Sequence, residues 1–161
     1  MHDASAAVRP SGVGTSAGAS RTANSHGTWS WPVPGARTVL RGYEAPASRY
    51  SAGHRGIDIA AVTGTPVVSP ASGTVRFAGV VVDRPTITVA TVDGVLISLE
   101  PVASPLAAGD VVAGGQSLGR VAAGGHCNAA CVHLGVRVNG DYASPLLFFG
   151  GVPRAVLLPL N

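Results

Sequence analysis

The chain contains no lysine, and all eleven of its basic residues are arginine. That absence excludes Schiff-base catalysis, phosphate loops built around a lysine, and swinging biotinyl or lipoyl arms, because each needs an amine. Aromatic residues are scarce at 5% and charged residues at 12%, and the arginines are scattered rather than gathered in a basic stripe. No nucleic-acid interface is expected, although the net charge of +3 suits an anionic polymer. No apolar stretch reaches about 18 residues without Pro, Gly or Arg, so no membrane span is expected. The opening residues MHDASAAVRPSGVGTSAG lack a cationic start followed by an apolar run and do not read as a signal peptide. Only two cysteines occur, Cys127 and Cys131 in HCNAAC, a spacing that a tight turn brings within disulfide range. A bonded pair would imply an oxidising compartment.

What the chain has in quantity is punctuation. Twenty-two glycines and twelve prolines leave no stretch that reads as a long helix, while 46% hydrophobic residues can still build a core. A length of 161 residues suits a single domain. Residues 1–27 are Ser, Gly, Ala and Thr without apolar periodicity and read as a disordered tail or linker, with His2 and His26 solvent-exposed; the folded domain is expected over 28–161. TWSWPVPG, with both tryptophans, looks like an edge segment that seals a core.

Strand signals are dense downstream. PTITVATV alternates branched apolar residues with Thr, and Asp93-Gly94 predicts a type I′ hairpin turn into VLISLE. VHLGVRV runs into Asn139-Gly140, a second hairpin. The fold class is all-β: a compact antiparallel β sandwich or partly open barrel of about eight to ten short strands, with paired segments that hint at an internal duplication.

Three histidines lie in the folded part, His54, His126 and His133. His54 stands four residues before Asp58 in SAGHRGIDIAA, where two glycines make a helix improbable. On a straight strand that pair would stand about 13 Å apart, so a glycine-permitted bend must fold His54 back if both are to touch one ion. Zn²⁺ accepts imidazole nitrogen and carboxylate oxygen at about 2.0 to 2.2 Å, and three protein ligands with an open fourth position is its catalytic pattern. His133, in CVHLGVRV, is the candidate third ligand, on one strand face with Cys131. A turn carboxylate bonding nearby backbone is the plain alternative for Asp58.

GHRGIDIAA, GTPVVSPASGTVRFAG, GDVVAGGQSLGRV and CVHLGVRV, in that order, resemble the lysostaphin-like, LytM-type zinc metallopeptidases that cut peptide cross-bridges in bacterial cell walls, over roughly residues 30 to 150. The resemblance implies zinc bound by His54, Asp58 and His133, an exported, cell-wall-associated setting, and peptidoglycan or its stem peptides as the partner. Two positions depart from the family pattern. Cys131 replaces the first histidine of His-x-His, and Pro101 stands where the family has the histidine of Tyr-x-His-Leu. Those histidines polarise the attacking water and stabilise the oxyanion, and one acid–base group of this kind contributes about 10² to 10⁴ in rate. Neither Pro101 nor a disulfide-bonded Cys131 can donate a proton.

His126 and Glu100 are possible substitutes, against the readings of a loop histidine and a solvated strand carboxylate. Two other site readings compete: a closed structural zinc site from His126, Cys127, Cys131 and His133, and a Cys131 nucleophile with His133 as base. A Cys127–Cys131 disulfide pinning the loop before the ligand strand is the preferred one. The expected function is a peptidoglycan-directed but catalytically degenerate LytM-type domain that binds wall peptides or regulates a partner hydrolase. The alternatives are a working zinc endopeptidase and a metal-free structural β module, the last favoured only if His54 and His133 lie far apart.

Overall fold

The structure is a computed structural model and describes residues 28–150, so the tail expectation for 1–27 and residues 151–161 lie outside the described residues. Eleven strands alternate with turns: β1 Val39–Arg41, β2 Gly56–Ala60, β3 Pro66–Val68, β4 Gly73–Val81, β5 Arg84–Ala90, β6 Leu96–Glu100, β7 Val102–Ala103, β8 Val111–Val112, β9 Ser117–Val121, β10 Cys131–Val138 and β11 Asp141–Ala143. Two single 3-10 turns, Gly125–Cys127 and Pro145–Phe148, are the helical content of the described residues. Glycine and proline spacing explains this, since no interval between breakers is long enough to nucleate a stable helix.

Eight strands form one antiparallel sheet in the order β1-β2-β10-β6-β5-β4-β8, with β11 paired to β10; β3, β9 and β7 form a second, three-stranded sheet. The expected all-β antiparallel architecture is therefore present, as two open sheets rather than a closed barrel.

Alternation sets the two faces of the large sheet. Ile57 and Ile59 on β2, Val132, Leu134 and Val136 on β10, Ile97 and Leu99 on β6, and Ile87 and Val89 on β5 are all buried and point into one core. Val67, Val102, Leu118 and Val121 of the small sheet pack into it as well. Full burial of each such side chain stabilises by about 1.5 to 3 kcal/mol before entropy is counted. Trp29 caps one end, stacked on Phe148 at 4.3 Å with Phe149 edge-on at 5.9 Å, so TWSWPVPG seals the core as expected, though as irregular chain and not as a strand.

The intervening residues, Asp58, His133 and Glu100 among them, lie on the other face. Register places His133 opposite Asp58 on one side and opposite Glu100 on the other. One-residue slippage would bury these groups in the core, so the hydrophobic pattern that fixes the register also fixes the site.

The Asn139-Gly140 turn has both residues left-handed, at φ 52° and 87°, as a type I′ turn requires. The other hairpin differs from expectation. Only Gly94 is left-handed there (φ 79°), the Gly94 amide donates to the Thr91 carbonyl at 3.0 Å, and the Thr91 amide donates to the Val95 carbonyl at 2.9 Å. The connection is thus a three-residue loop closed by a glycine bulge; Asp93 avoids the positive φ that a type I′ turn would have forced on it.

Candidate metal centre

His54 lies just before β2, where its backbone pairs with Glu44 through two 2.9 Å hydrogen bonds. Gly53 permits this close pairing, because a Cβ there would lie 2.7 Å from the Glu44 carbonyl oxygen. Its ring Nδ1 is 2.6 Å from the Gly42 carbonyl oxygen. A carbonyl only accepts, so Nδ1 carries the proton and Nε2 presents a lone pair to the site.

That Nε2 stands 3.1 Å from Asp58 Oδ1 and 3.1 Å from His133 Nδ1, and His133 Nδ1 is 2.8 Å from the same carboxylate oxygen. The three residues singled out in the sequence thus converge. The route differs from the expected bend: neither Gly53 nor Gly56 has a positive φ, and both serve close approach instead. A Cβ on Gly56 would come within 2.6 Å of His133 Nε2, so the His133 ring occupies space that only glycine leaves open.

A fourth group joins them. His126 Nε2 is 2.9 Å from Asp58 Oδ1, carried on the Gly125–Cys127 turn. Gly124 and Gly125 at φ 122° and 62° start this loop, left-handed Asn128 and Ala129 reverse it, and a Cys127–Cys131 disulfide closes it across a Cα–Cα distance of 4.9 Å. His54 and Asp58 are buried and His133 nearly so, whereas the His126 side chain is 46% exposed. Burial alone would raise the Asp58 carboxyl, but the hydrogen bonds with His126 and His133, helped by the electrostatic influence of His126, outweigh it and hold the group below its usual range. Burial pushes the His133 imidazole below its usual range, with Asp58 opposing and the two other histidines adding to the shift.

One ligand atom from each of His54, Asp58, His126 and His133 lies within 4.8 Å of the others. The donor set fits a zinc ion. With its proton committed to Gly42, His54 Nε2 faces the Asp58 oxygen lone pair to lone pair at 3.1 Å, an arrangement that a cation between them relieves. Around a tetrahedral zinc, such ligand atoms stand about 3.3 Å apart, only slightly wider than the separations seen here. Gly42 supplies the outer hydrogen bond that a ligating imidazole ordinarily makes. Sequence reasoning did not find Gly42, because a backbone acceptor leaves no residue-type signal.

The other candidates are disposed differently. Glu100 is engaged by Arg84, whose Nε is 2.9 Å from Oε1, and by Thr86, whose hydroxyl donates to Oε2 at 3.0 Å, and it stands outside the cluster. The sulfurs of Cys127 and Cys131 are joined, so neither offers a thiolate to a structural zinc site or as a nucleophile. Pro101 is buried between β6 and β7.

The profile of Peptidase family M23 matches residues 52–145, a span that contains the whole cluster. The chain belongs to peptidase family M23. The LytM-type resemblance is thus confirmed at the level of family. An uncharacterized protein of Mycobacterium tuberculosis is 34% identical over 129 residues, 76% of this chain and 52% of that protein, so the chain spans about half the length of the curated relatives it matches. Among solved structures, a point mutant of the catalytic domain of the prophage-encoded M23 protein EnpA from Enterococcus faecalis is 26% identical with a TM-score of 0.60, covering 74% of this chain and 97% of that one. A chain of the SpoIIIAH–SpoIIQ complex shares the fold at 20% identity with a TM-score of 0.64, covering 74% and 99%.

Proposed function

We propose that this M23 domain is directed at peptidoglycan, holds one zinc ion through His54, Asp58 and His133, and has lost efficient catalysis, acting outside the cell as a wall-binding or hydrolase-regulating module. The observation that carries the loss of catalysis is that the two proton-handling histidines of the LytM pattern are replaced by Pro101 and by Cys131, the latter bonded to Cys127. A proline ring and a disulfide sulfur have no proton to give and none to hold. When bound, zinc supplies Lewis acidity to a water or carbonyl oxygen beside it. The chain's own residues do the rest. Gly42 orients the His54 ring, Asp58 contributes the negative charge that attracts a divalent ion, and the Gly56 floor seats His133. His126 approaches Asp58 from the exposed side and would serve as a fourth donor to a bound zinc, at the cost of the open position that catalysis needs.

A second reading is favoured by the same residue. His126 is half exposed and within reach of the site, as a proton-transferring group must be, and the 26% identity to the EnpA catalytic domain supports an active zinc metalloendopeptidase that cleaves peptidoglycan peptide cross-links. The metal-free structural module is disfavoured, since His54 and His133 stand 3.1 Å apart. Turbidity of purified walls separates the first two readings. Binding to sedimented walls without clearance is expected; clearance that disappears on chelation and returns with zinc would establish the enzyme instead.

A further inference from the structure

A cleft of about 600 Å³ is lined by none of the four residues of the metal cluster. Arg49, Arg55 and Arg137 line it together with Tyr43, Tyr50 and Tyr142. Asp141 is the one carboxylate in its wall, so the charge balance is strongly positive in a chain with few charges. Arg55 and Arg137 both lie over the Tyr142 ring, their guanidinium carbons 5.6 and 4.5 Å from its centroid. At these distances each guanidinium is attracted by the π-face of Tyr142, which holds both cations at one wall of the cleft.

The guanidinium N–H donors are only partly used. Arg55 Nη2 donates to the backbone carbonyls of Arg49 and Ser51 at 3.1 and 2.9 Å, and Arg137 Nη2 donates to the Tyr142 hydroxyl. Among the described residues none of the three arginines is ion-paired, whereas Arg41 and Arg84 both are. Each guanidinium has five N–H groups in a fork that matches a carboxylate, so several remain for a ligand.

The cleft is aligned with the metal centre. Arg55 follows His54 directly, and Arg137 is four residues beyond His133 on β10, on the same face of the strand. Gly135 lies between them without a side chain, which leaves the floor clear. Four residues of strand span about 13 Å, the length of a short extended peptide.

We propose that this cleft is an anion subsite that takes a carboxylate of a short peptide lying along the sheet face, with Arg137 and Arg55 as its fork donors. The choice of a wall peptide as the source of that carboxylate rests on the peptidoglycan reading above; the anion site itself stands on the arginine geometry alone. Arg137 is exposed, so its replacement leaves the core intact.

The test is calorimetric titration of the full chain with a four-residue peptide bearing a side-chain and a C-terminal carboxylate, beside the same peptide with both groups amidated. The free acid should bind at least about tenfold more tightly than the diamide, and Arg137→Ala should remove that difference. Arg137→Lys, which keeps the charge but not the fork, should recover only part of it. Equal affinity for acid and diamide, or Arg137→Ala binding the acid like wild type with an unchanged unfolding midpoint, would overturn the subsite. Inorganic phosphate competing as well as the peptide would overturn the carboxylate assignment. Sedimentation with purified walls is run in parallel. Arginine-dependent peptide binding without wall binding would uphold the subsite and remove the peptidoglycan reading, while wall binding indifferent to Arg137 and to amidation would do the reverse.

Discussion

His126 Nε2 stands 2.9 Å from Asp58 Oδ1, although 68 residues separate the two and His126 belongs to no strand. The carboxylate comes from β2, held between β1 and β10 of the large sheet, and the imidazole from a glycine-started loop closed by a disulfide. A rigid element thus supplies the charge and a short strained loop completes the ring of donors around it.

If His126 completes the donor set, His126→Ala should weaken zinc without abolishing it, since three donors remain. The expected loss is about 10- to 100-fold in affinity, the range seen when a supporting group is removed from a metal site. Competition with a chromophoric chelator measures it. Unchanged affinity would show His126 to be a bystander.

Gly56→Ala should damage fold and site together. Its new Cβ would lie 2.2 Å from the Leu134 carbonyl oxygen and 2.6 Å from His133 Nε2. Two strands and a ring would have to move, at a cost of about 1 to 3 kcal/mol. Thermal unfolding and zinc content should both fall; an undisturbed midpoint would contradict the close packing of β2 on β10.

Reduction of the Cys127–Cys131 bond should lower stability by about 2 kcal/mol, the loop-closure value for so short a ring. Cys127→Ser should do the same and loosen His126. Denaturant titration with and without reductant reads the first effect and zinc affinity the second. Two freely alkylated thiols in native, unreduced protein would contradict the bond itself.

Glu100→Gln should leave zinc content unchanged and cost less than about 1 kcal/mol, because its partners Arg84 and Thr86 hold it outside the cluster at a partly exposed position. Metal analysis of the variant decides. A large loss of zinc would mean that Glu100 turns toward the site.

The outline of the fold and the candidate ligands were legible because they follow from local pattern. Alternation in PTITVATV and VHLGVRV set which face each side chain takes, and Asn139-Gly140 allowed little other than a tight turn. His54, Asp58 and His133 stood out as polar groups set among apolar strands. What lay beyond reach depended on distances between strands. Gly53 and Gly56 looked like hinges and are spacers, a difference that shows only once Glu44 and His133 are seen against them. The Asp93-Gly94 turn took one residue more than its dipeptide suggested. The convergence of Arg55 and Arg137 on Tyr142 joins residues from separate elements, and single residues of those types carry no such signal.

The most direct test of the metal centre is the zinc content of the purified chain, compared with that of His133→Ala. About one zinc per wild-type chain, falling close to zero in the variant while far-ultraviolet dichroism remains that of a β protein, is the predicted result. Near-stoichiometric zinc retained by His133→Ala would contradict the assignment of His54, Asp58 and His133 as one site.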